Sequence, residues 1–480
     1  MKTIGWLLAA AIPVALAAVA LDAIGIPPRS LATAIEREAT GERPDLVALA
    51  QWVAARLRVL ERPGDMASAP RAALPPLRQA PQASAGTDAR RIVPVNTAGQ
   101  ARQAIEQARP GDVITFSPGT YRFAGATNIA AKQPGKPGSE ITVRAERAGT
   151  ADLEFDMSEG FLVSAPYWIF ENLSIRGTCA DHSYCEHAFH VVAGGTHFVA
   201  RNNTLADFNA HFKINPVGAL SPDHGLIEGN VMRNTADRRT ANPVTPIDLV
   251  AASHWTIRGN SISDFVKAGG ERISFGAFAK GGGEGNRFEQ NLVVCENLLR
   301  DRPGQRVGLS FGGGGTHPQN CRDRRCITEQ QAGVMESNLI MSCSDEGIYI
   351  NKAAATRVLH NTLIDTGPIV VRFPESSADV EGNLVDSSIE ARDDSLVRET
   401  GNRTTWMAGV YLGWHPVRRL FADAAKFDLR WNGSPPRRPA GGATSGDLCG
   451  GQRAAPPAYG ASEDYARCLA PRLSAKLPAK

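Results

Sequence analysis

The sequence predicts an all-β fold, a solenoid in which short parallel strands stack coil upon coil as a parallel β-helix. The main observation is a set of strand-like segments that recur with an asparagine at one fixed place. Glycine, at 47 of 480 residues, exceeds its usual share of about 7% and indicates many tight turns. A hydrophobic content of 42% can build a core, which excludes a wholly disordered chain.

Eight segments carry the repeat, and each alternates in the manner of a strand. Their asparagines are Asn172, Asn203, Asn230, Asn260, Asn291, Asn338, Asn361 and Asn383. The shortest steps, 22 and 23 residues, suit one bare coil, and longer steps are coils with inserted loops. Asparagine suits such a position because it tolerates left-handed turns and its amides can stack along the helix axis. A helical solenoid is the alternative, but its leucine consensus and helical periods are absent.

The first 24 residues predict export. An apolar run extends from Ile4 to Leu21, and Ala18-Val19-Ala20 offers the small–x–small pattern of a signal-peptidase site. The run is also long enough to serve as a bilayer span, so an uncleaved anchor in the inner membrane is the alternative. Both interpretations place the remaining chain outside the cytoplasm, in the periplasm or the extracellular space.

Composition divides the rest of the chain into three parts. Residues 25–90 read as a helical stalk followed by an Ala/Pro-rich linker, 91–400 as the β-helix, and 401–480 as a C-terminal cap and tail. A net charge of +3 is too balanced for a nucleic-acid binder that works through bulk charge. We expect a monomer with an acidic polysaccharide as its partner, for reasons that follow.

Eight cysteines fit an oxidising compartment and favour structural disulfides. Three neighbouring pairs and one remaining pair account for all of them: Cys179 and Cys185, Cys321 and Cys326, Cys449 and Cys468, then Cys295 and Cys343. A zinc site is the alternative. No CxxC motif exists and the histidines lack ligand spacing, so the sequence predicts no metal site of this kind.

Residues 95–123, VNTAGQARQAIEQARPGDVITFSPGTYRF, read as a short capping helix, a Pro-Gly-Asp turn and a strand ending in Gly-Thr-Tyr. This entry, with the closing segments 420–439 and 459–462, resembles the right-handed parallel β-helix proteins of the pectin-lyase-like group. The nearest branch is that of chondroitinase B and the alginate lyases. The resemblance implies a single-stranded right-handed β-helix with an N-terminal capping helix, and an activity that cleaves polysaccharides.

A second strand in each coil places polar side chains on its outer face. The predicted outward ladder is His190, Lys213, Asp248, Ser274, Ser310 and Tyr349, and the next column holds Asn215, Gly276, Gly312, Asn351 and Arg372. Adjacent coils are about 4.8 Å apart, so the first three ladder residues should lie within about 10 Å of each other. Inserted loops at both ends of this strand would wall a groove, which suits an extended polymer.

The resemblance implies β-elimination on a uronate-containing polymer, which needs three groups. One neutralises the carboxylate, one removes the proton beside it, and one protonates the leaving oxygen. Lys213 is the first candidate for the base, His190 for an acid or base, and Asp248 could bind Ca²⁺ or hold the lysine. Lys280, Tyr349, Asn351 and Arg372 are the predicted substrate-binding residues. The family also has acidic calcium ligands near its catalytic lysine, so Ca²⁺ is the cofactor that the resemblance suggests.

Alternatives stay open at this point. A C5-epimerase shares the first proton abstraction with a lyase, and a non-catalytic glycan-binding or cell-envelope protein could use the same groove. Lys213 and Asp248 could also be a plain cross-strand ion pair, worth under about 1 kcal/mol. His190 alone could be a solvated histidine.

The cysteine pattern yields a direct test of compartment and pairing. Labelling of free thiols after denaturation should find few reactive groups in protein taken from its native compartment, because oxidised cysteines do not react. Labelling of all eight would contradict the disulfide interpretation.

Overall fold

The computed structural model describes residues 25–39, 43–62, 72–77, 79–80, 91–125, 127–300, 302–313, 315–439 and 446–469. In this part the chain is a parallel β-helix, right-handed as predicted, with three long sheets whose neighbouring strands are all parallel. The predicted leader, 1–24, lies outside the described residues, as does most of the linker. No described helix has both the length and the apolar character to cross a membrane.

Each coil contributes one strand to each of the three sheets. The first sheet has the order β1 (Ile92–Val95), β2 (Val113–Phe116), β5 (Ile141–Ala145), β8 (Trp168–Glu171), β11 (Val199–Arg201), β14 (Leu226–Glu228), β17 (Thr256–Arg258), β21 (Arg287–Glu289), β25 (Val334–Glu336), β29 (Thr356–Leu359), β32 (Ser377–Glu381) and β35 (Leu396–Thr400). The second has the order β3 (Gly119–Ala124), β6 (Ala151–Asp156), β9 (Ser174–Gly177), β12 (Thr204–Ala206), β15 (Val231–Arg233), β18 (Ser261–Ser263), β22 (Leu292–Val294), β26 (Leu339–Met341), β30 (Thr362–Ile364) and β33 (Leu384–Val385).

The third sheet, which we call the groove sheet, carries the polar ladder. Its order is β4 (Ile129–Ala131), β7 (Glu159–Val163), β10 (His187–Val192), β13 (Ala210–Asn215), β16 (Ile247–Val250), β19 (Ile273–Lys280), β23 (Gln305–Phe311), β27 (Ile348–Asn351), β31 (Ile369–Arg372) and β34 (Ile389–Arg392). The other elements are the small sheet β20 (Gly283–Glu284), β24 (Gln330–Gln331) and β28 (Ala353–Ala354), the antiparallel pair β36 (Phe421–Asp423) and β37 (Asp428–Trp431), helices α1 (Pro28–Glu38), α2 (Pro44–Glu61), α3 (Ala98–Glu106) and α4 (Met407–Tyr411), and 3₁₀ turns Pro318–Asn320, Arg418–Leu420, Ala424–Lys426 and Tyr465–Arg467.

An asparagine ladder fixes the vertical register of the coils. Each ladder amide donates through Nδ2 to the Oδ1 of the next, over 2.9–3.1 Å; the members are Asn203, Asn230, Asn260, Asn291, Asn338, Asn361, Asn383 and Asn402. The backbone N–H of each also donates to the same Oδ1, as Asn230 does to Asn260 at 2.9 Å. Each buried asparagine therefore aligns its own coil with the next one.

The predicted ladder differs from this one at both ends. Asn172 lies one residue before the ladder position, which Leu173 occupies, and Asn402 extends the ladder by one coil. The left-handed conformation belongs to the residue before each ladder asparagine: φ is +62° at Asn172 and +64° at Gly259. Two adjacent residues thus divide the two roles: the first forms the left-handed turn, and the second stacks its amide. The sequence analysis gave both roles to a single asparagine.

The solenoid core and its cap agree with the sequence. Helix α3 begins after Thr97, whose hydroxyl accepts from the Gln100 N–H at 3.2 Å, and it buries Ala101 and Ile105 against the first coil. All eight cysteines form disulfides: Cys179–Cys185, Cys295–Cys343, Cys321–Cys326 and Cys449–Cys468. The prediction of structural disulfides is confirmed, and the structure adds which cysteines pair.

The segment predicted as one stalk helix forms a hairpin of α1 and α2 that packs against the β-helix. Arg29 joins Glu61 at 2.7 Å and Asp365 at 3.1 Å, both buried. Arg62 pairs with Glu296 at 2.7 Å and also with Asp365. Burial raises the pKa of Asp365, but the nearby arginines outweigh it and lower that pKa overall. Removing one partner of such a network typically costs about 3–5 kcal/mol, because the other charge is left buried and unpaired.

The ladder predicts an asymmetric effect of two asparagine substitutions. Asn260→Ala removes the acceptor of Asn230 and the donor to the Ile227 carbonyl at 2.9 Å, which leaves buried groups unpaired. We expect a loss of about 2–5 kcal/mol in the free energy of unfolding, measured by urea titration. Asn172→Gly is the matched control, because glycine adopts φ near +62° freely and should change stability by less than about 1 kcal/mol. Equal losses in the two variants would contradict this role of the ladder.

Candidate active site

Three polar residues lie side by side on the outer face of the groove sheet. His190 on β10 is in register with Lys213 on β13, and Lys213 is in register with Asp248 on β16. Neighbouring strands in a sheet are about 4.8 Å apart, so the three side chains share one short stretch of the groove floor. The structure therefore brings together the three residues to which the sequence assigned catalysis.

Lys213 and Asp248 form a direct ion pair. The lysine Nζ donates to Asp248 Oδ2 at 2.8 Å, and the two side chains are 23% and 6% exposed. The second oxygen of Asp248, Oδ1, is buried and has no hydrogen-bond partner among the described residues. Asp248 thus holds the amine at a fixed place while Lys213 stays accessible from the groove.

His190 lies between two hydrogen-bond acceptors. Its Nδ1 is 2.7 Å from Glu159 Oε1 and its Nε2 is 2.7 Å from Asn215 Oδ1. The amide nitrogen of Asn215 donates to the Pro216 carbonyl at 3.1 Å, which directs its oxygen at the ring. A neutral imidazole has only one N–H, so it cannot satisfy both acceptors. This arrangement calls for a positive charge at the ring, either a second proton or another cation.

Two further ionisable groups crowd the same end of the groove. The His187 ring lies 5.0 Å from the His190 ring, and burial, followed by the charges of His190 and Lys213, lowers the pKa of His187 to about 3. Burial and the charge of Glu159 raise the pKa of Glu186. Burial also raises the pKa of Glu159, but the hydrogen bond and charge of His190 outweigh it, and the pKa is lowered.

The residues around Asp248 do not fit Ca²⁺. Calcium takes six to eight oxygen ligands, commonly from several carboxylates. Asp248 offers one carboxylate, which is already paired with Lys213. In the described part of the chain, the one cluster of at least three potential ligands is Glu159, His187 and His190, whose donors are mostly nitrogen. No step of the chemistry is therefore assigned to calcium.

The predicted substrate-binding residues lie further along the same face. Lys280 is on β19, Tyr349 and Asn351 are on β27, and Arg372 is on β31. The predicted register fails at β19, because Asp248 is opposite Phe278 rather than Ser274, and Val250 is opposite Lys280 rather than Gly276. The correction moves Lys280 onto the groove floor, where its Nζ lies 4.3 Å from the centre of the Phe278 ring.

Tyr349, Asn351 and Arg372 form a second polar group. The Asn351 Nδ2 donates to the Tyr349 hydroxyl at 2.8 Å. Burial raises the pKa of Tyr349, against the opposing effect of a hydrogen bond with Arg372. Arg372 also bonds to Asp393 and lies 4.6 Å from the centre of the Phe373 ring. The candidate catalytic residues thus lie on β10, β13 and β16, and the cations Lys280 and Arg372 lie on later strands of the same sheet.

Inserted loops flank the groove sheet at both strand ends. Before the strands, Ser183 Oγ lies 2.9 Å from Thr240 Oγ1, which joins two of the loops. After the strands, Arg322 reaches back over several coils and bonds Asp223 at 2.7 and 3.1 Å. Each contact joins inserted loops of different coils at one end of the groove-sheet strands.

Glu159, Glu186 and His187 are the site residues that the sequence patterns missed. The predicted outward ladder starts at His190 on β10, so it does not include β7, the preceding strand of the groove sheet. The signal was present, since EGFLV at 159–163 and HAFHV at 187–191 align without gaps, and Glu159 is opposite His187. A Glu and a His at matched strand positions are, however, a weak pattern by themselves.

No protein-family model matches the chain, and no curated protein matches it. The chain is similar in structure to pectate lyase Pel9A, with a TM-score of 0.55 and 14% identity over 79% of this chain and 98% of that one. A rhamnogalacturonan lyase has a TM-score of 0.42 and 12% identity, covering 62% of this chain and 80% of that one. The PL6 family polysaccharide lyase Pedsa3628 from Pseudopedobacter saltans has a TM-score of 0.38 and 12% identity, covering 66% of this chain and 93% of that one. The likeness to Pel9A confirms the predicted parallel β-helix fold.

Buried histidines predict an acid limit to stability. His211, on β13 beside Lys213, is fully buried, and burial lowers its pKa from 6.5 to about 4. The unfolded state then binds more protons between these values, so stability is full above about pH 6.5 and falls as the pH drops toward 4. This residue alone should cost roughly 2–3 kcal/mol by pH 4.5.

The measurement is urea unfolding at pH 7 and pH 4.5. His211→Gln should reduce the difference in unfolding free energy between the two pH values. The exposed His317→Gln control should behave as the parent does. An unchanged difference in His211→Gln would contradict the assignment.

Proposed function

We propose that this protein acts outside the cytoplasm as a lyase that cleaves a uronate-containing polysaccharide by β-elimination. The observation that carries the proposal is the row His190, Lys213 and Asp248 on consecutive strands of a walled groove. A linear groove with a polar floor suits an extended polymer, and the fold is similar to that of a pectate lyase. Four disulfides support export.

Each member of the row has a role in the proposal. Lys213 takes the proton next to the uronate carboxylate, the bond to the leaving oxygen breaks, and a carbon–carbon double bond forms. Asp248 is the positioning residue that holds the lysine Nζ at 2.8 Å. The positive charge at His190 meets the substrate carboxylate and favours loss of the proton. The leaving oxygen takes up a proton, which the lysine ammonium can return.

The cations along the floor extend the proposal to binding. Lys280 and Arg372 are directed to the carboxylates of neighbouring sugars, and Tyr349 and Asn351 to hydroxyl groups. Their strands follow β16 in the sheet order, so these residues would hold the polymer on one side of the cleavage point.

The reaction class is tested with a panel of uronate polymers. A lyase should produce unsaturated chain ends, seen as new ultraviolet absorbance. A changed ratio of sugar epimers without absorbance would identify an epimerase instead. Binding with neither product would identify a glycan-binding protein, and the lyase proposal would be wrong.

The base is tested by substitution on a polymer that the parent cleaves. Lys213→Ala should lower turnover by about 100-fold or more, the usual scale for a general base. Lys213→Arg should not restore it, because the guanidinium stays protonated. Lys426→Ala is the matched control: it breaks another 2.8 Å pair, with Asp423, on an exposed surface, and should leave turnover unchanged.

Lys280 is the second candidate for the base, for one specific reason. Lys213 has a carboxylate partner at 2.8 Å, whereas no ion pair of Lys280 is found among the described side chains. Lys280→Ala should therefore be assayed beside Lys213→Ala. If Lys280→Ala loses turnover while Lys213→Ala keeps near-normal turnover, then Lys280 on β19 is the base. The proposed reaction class would be unchanged.

A further inference from the structure

Three side chains at one end of the groove floor converge on a common point. Glu159 on β7 and His187 and His190 on β10 each offer a ligand atom, and these atoms all lie within 4.8 Å of one another. Glu159 is directly opposite His187 in the parallel register. The cluster therefore comes from two adjacent, hydrogen-bonded strands, which hold its backbone atoms in place.

The space between Glu159 and His190 requires a positive charge. The His190 Nε2 faces Asn215 Oδ1 at 2.7 Å, so this nitrogen is the ring's natural N–H donor. The other nitrogen, Nδ1, then directs a lone pair at Glu159 Oε1, also at 2.7 Å. At that distance a lone pair and a carboxylate oxygen repel unless they share a proton, and the two atoms would have to move slightly apart to bind a common metal ion instead.

Neighbouring amides hold both groups in the orientation that a metal ligand needs. Metal-binding histidines usually donate their second ring N–H to an oxygen, which fixes the tautomer, and Asn215 provides this oxygen. Asn128 Nδ2 donates to the other carboxylate oxygen of Glu159, Oε2, at 3.2 Å. Oε1 is thereby directed at the cluster.

The geometry points to a binding site for a divalent first-row transition metal such as Zn²⁺, with Glu159, His187 and His190 as its ligands. Two imidazole nitrogens and one carboxylate oxygen are a known zinc ligand set that leaves a fourth position open. The inference rests on the proposed function only for its role, in which the open position would take a uronate carboxylate. The bound metal ion, rather than a second proton on the ring, would supply the positive charge at His190.

The Glu186 carboxylate, 4.0 Å from His187 Nε2, adds a further acidic group beside the cluster.

The test uses the full chain, freed of metal with a chelator and titrated with Zn²⁺ by calorimetry in the absence of polymer. We expect one site with a dissociation constant in the micromolar range or below. His187→Ala and the isosteric Glu159→Gln should each weaken binding at least about tenfold, and Zn²⁺ should raise the melting temperature of the parent but not of these two variants. His224→Ala is the control, because His224 belongs to an exposed stack of histidines elsewhere on the surface.

The outcomes separate the two proposals. No Zn²⁺ binding by the parent would leave a proton between Glu159 and His190 and overturn the metal inference. Binding that survives Glu159→Gln and His187→Ala, or that is lost in His224→Ala, would place the ion elsewhere and also overturn it. Cleavage of a uronate polymer by a chain that binds no metal would keep the proposed function and reject the metal site. Zn²⁺ binding at this site by a chain that cleaves no uronate polymer would keep the metal site and reject the proposed function.

Discussion

The alignment of each coil on the next is the constraint on which the rest of this structure depends. In a parallel β-helix, a shift of one residue between coils would turn every side chain of a strand to the opposite face. The asparagine ladder prevents such a shift, since each Oδ1 accepts two N–H groups from the coil before it. The ladder lies outside the groove sheet, at the bend between the first and second sheets, and so constrains the backbone without occupying the floor.

This alignment lets coils of very different length share one floor. Ladder neighbours are as few as 19 and as many as 47 residues apart, yet the amide contacts keep the same length, 3.0 Å. The additional residues leave the solenoid as loops at the ends of the groove-sheet strands. Long insertions of this kind cost little in stability because loop-closure entropy grows slowly with length. Groove walls can therefore differ from coil to coil while the floor stays regular.

The regular spacing also explains why the ionisable groups on the floor contact one another in pairs. Side chains on consecutive rungs are about 4.8 Å apart, a distance at which charges interact strongly in a partly buried site. Acidic and basic residues consequently alternate in contacting pairs, Glu159 with His190 and Lys213 with Asp248. Among the described residues, His187 has no such partner of opposite charge within hydrogen-bond distance, and burial keeps it neutral instead.

The sequence by itself determined the solenoid, the capping helix α3 and the row His190, Lys213 and Asp248. Each of these follows from the local alternation of apolar and polar residues and from the recurrence of the coil. The tertiary structure decided the register at β19, because in the eight-residue strand ISFGAFAK the same alternation fits two positions four residues apart. It also decided the place of Glu159, whose coil lacks a ladder asparagine. Only the stacked backbones bring Glu159 to His190, since the contact joins residues 31 apart and depends on the length of everything between them.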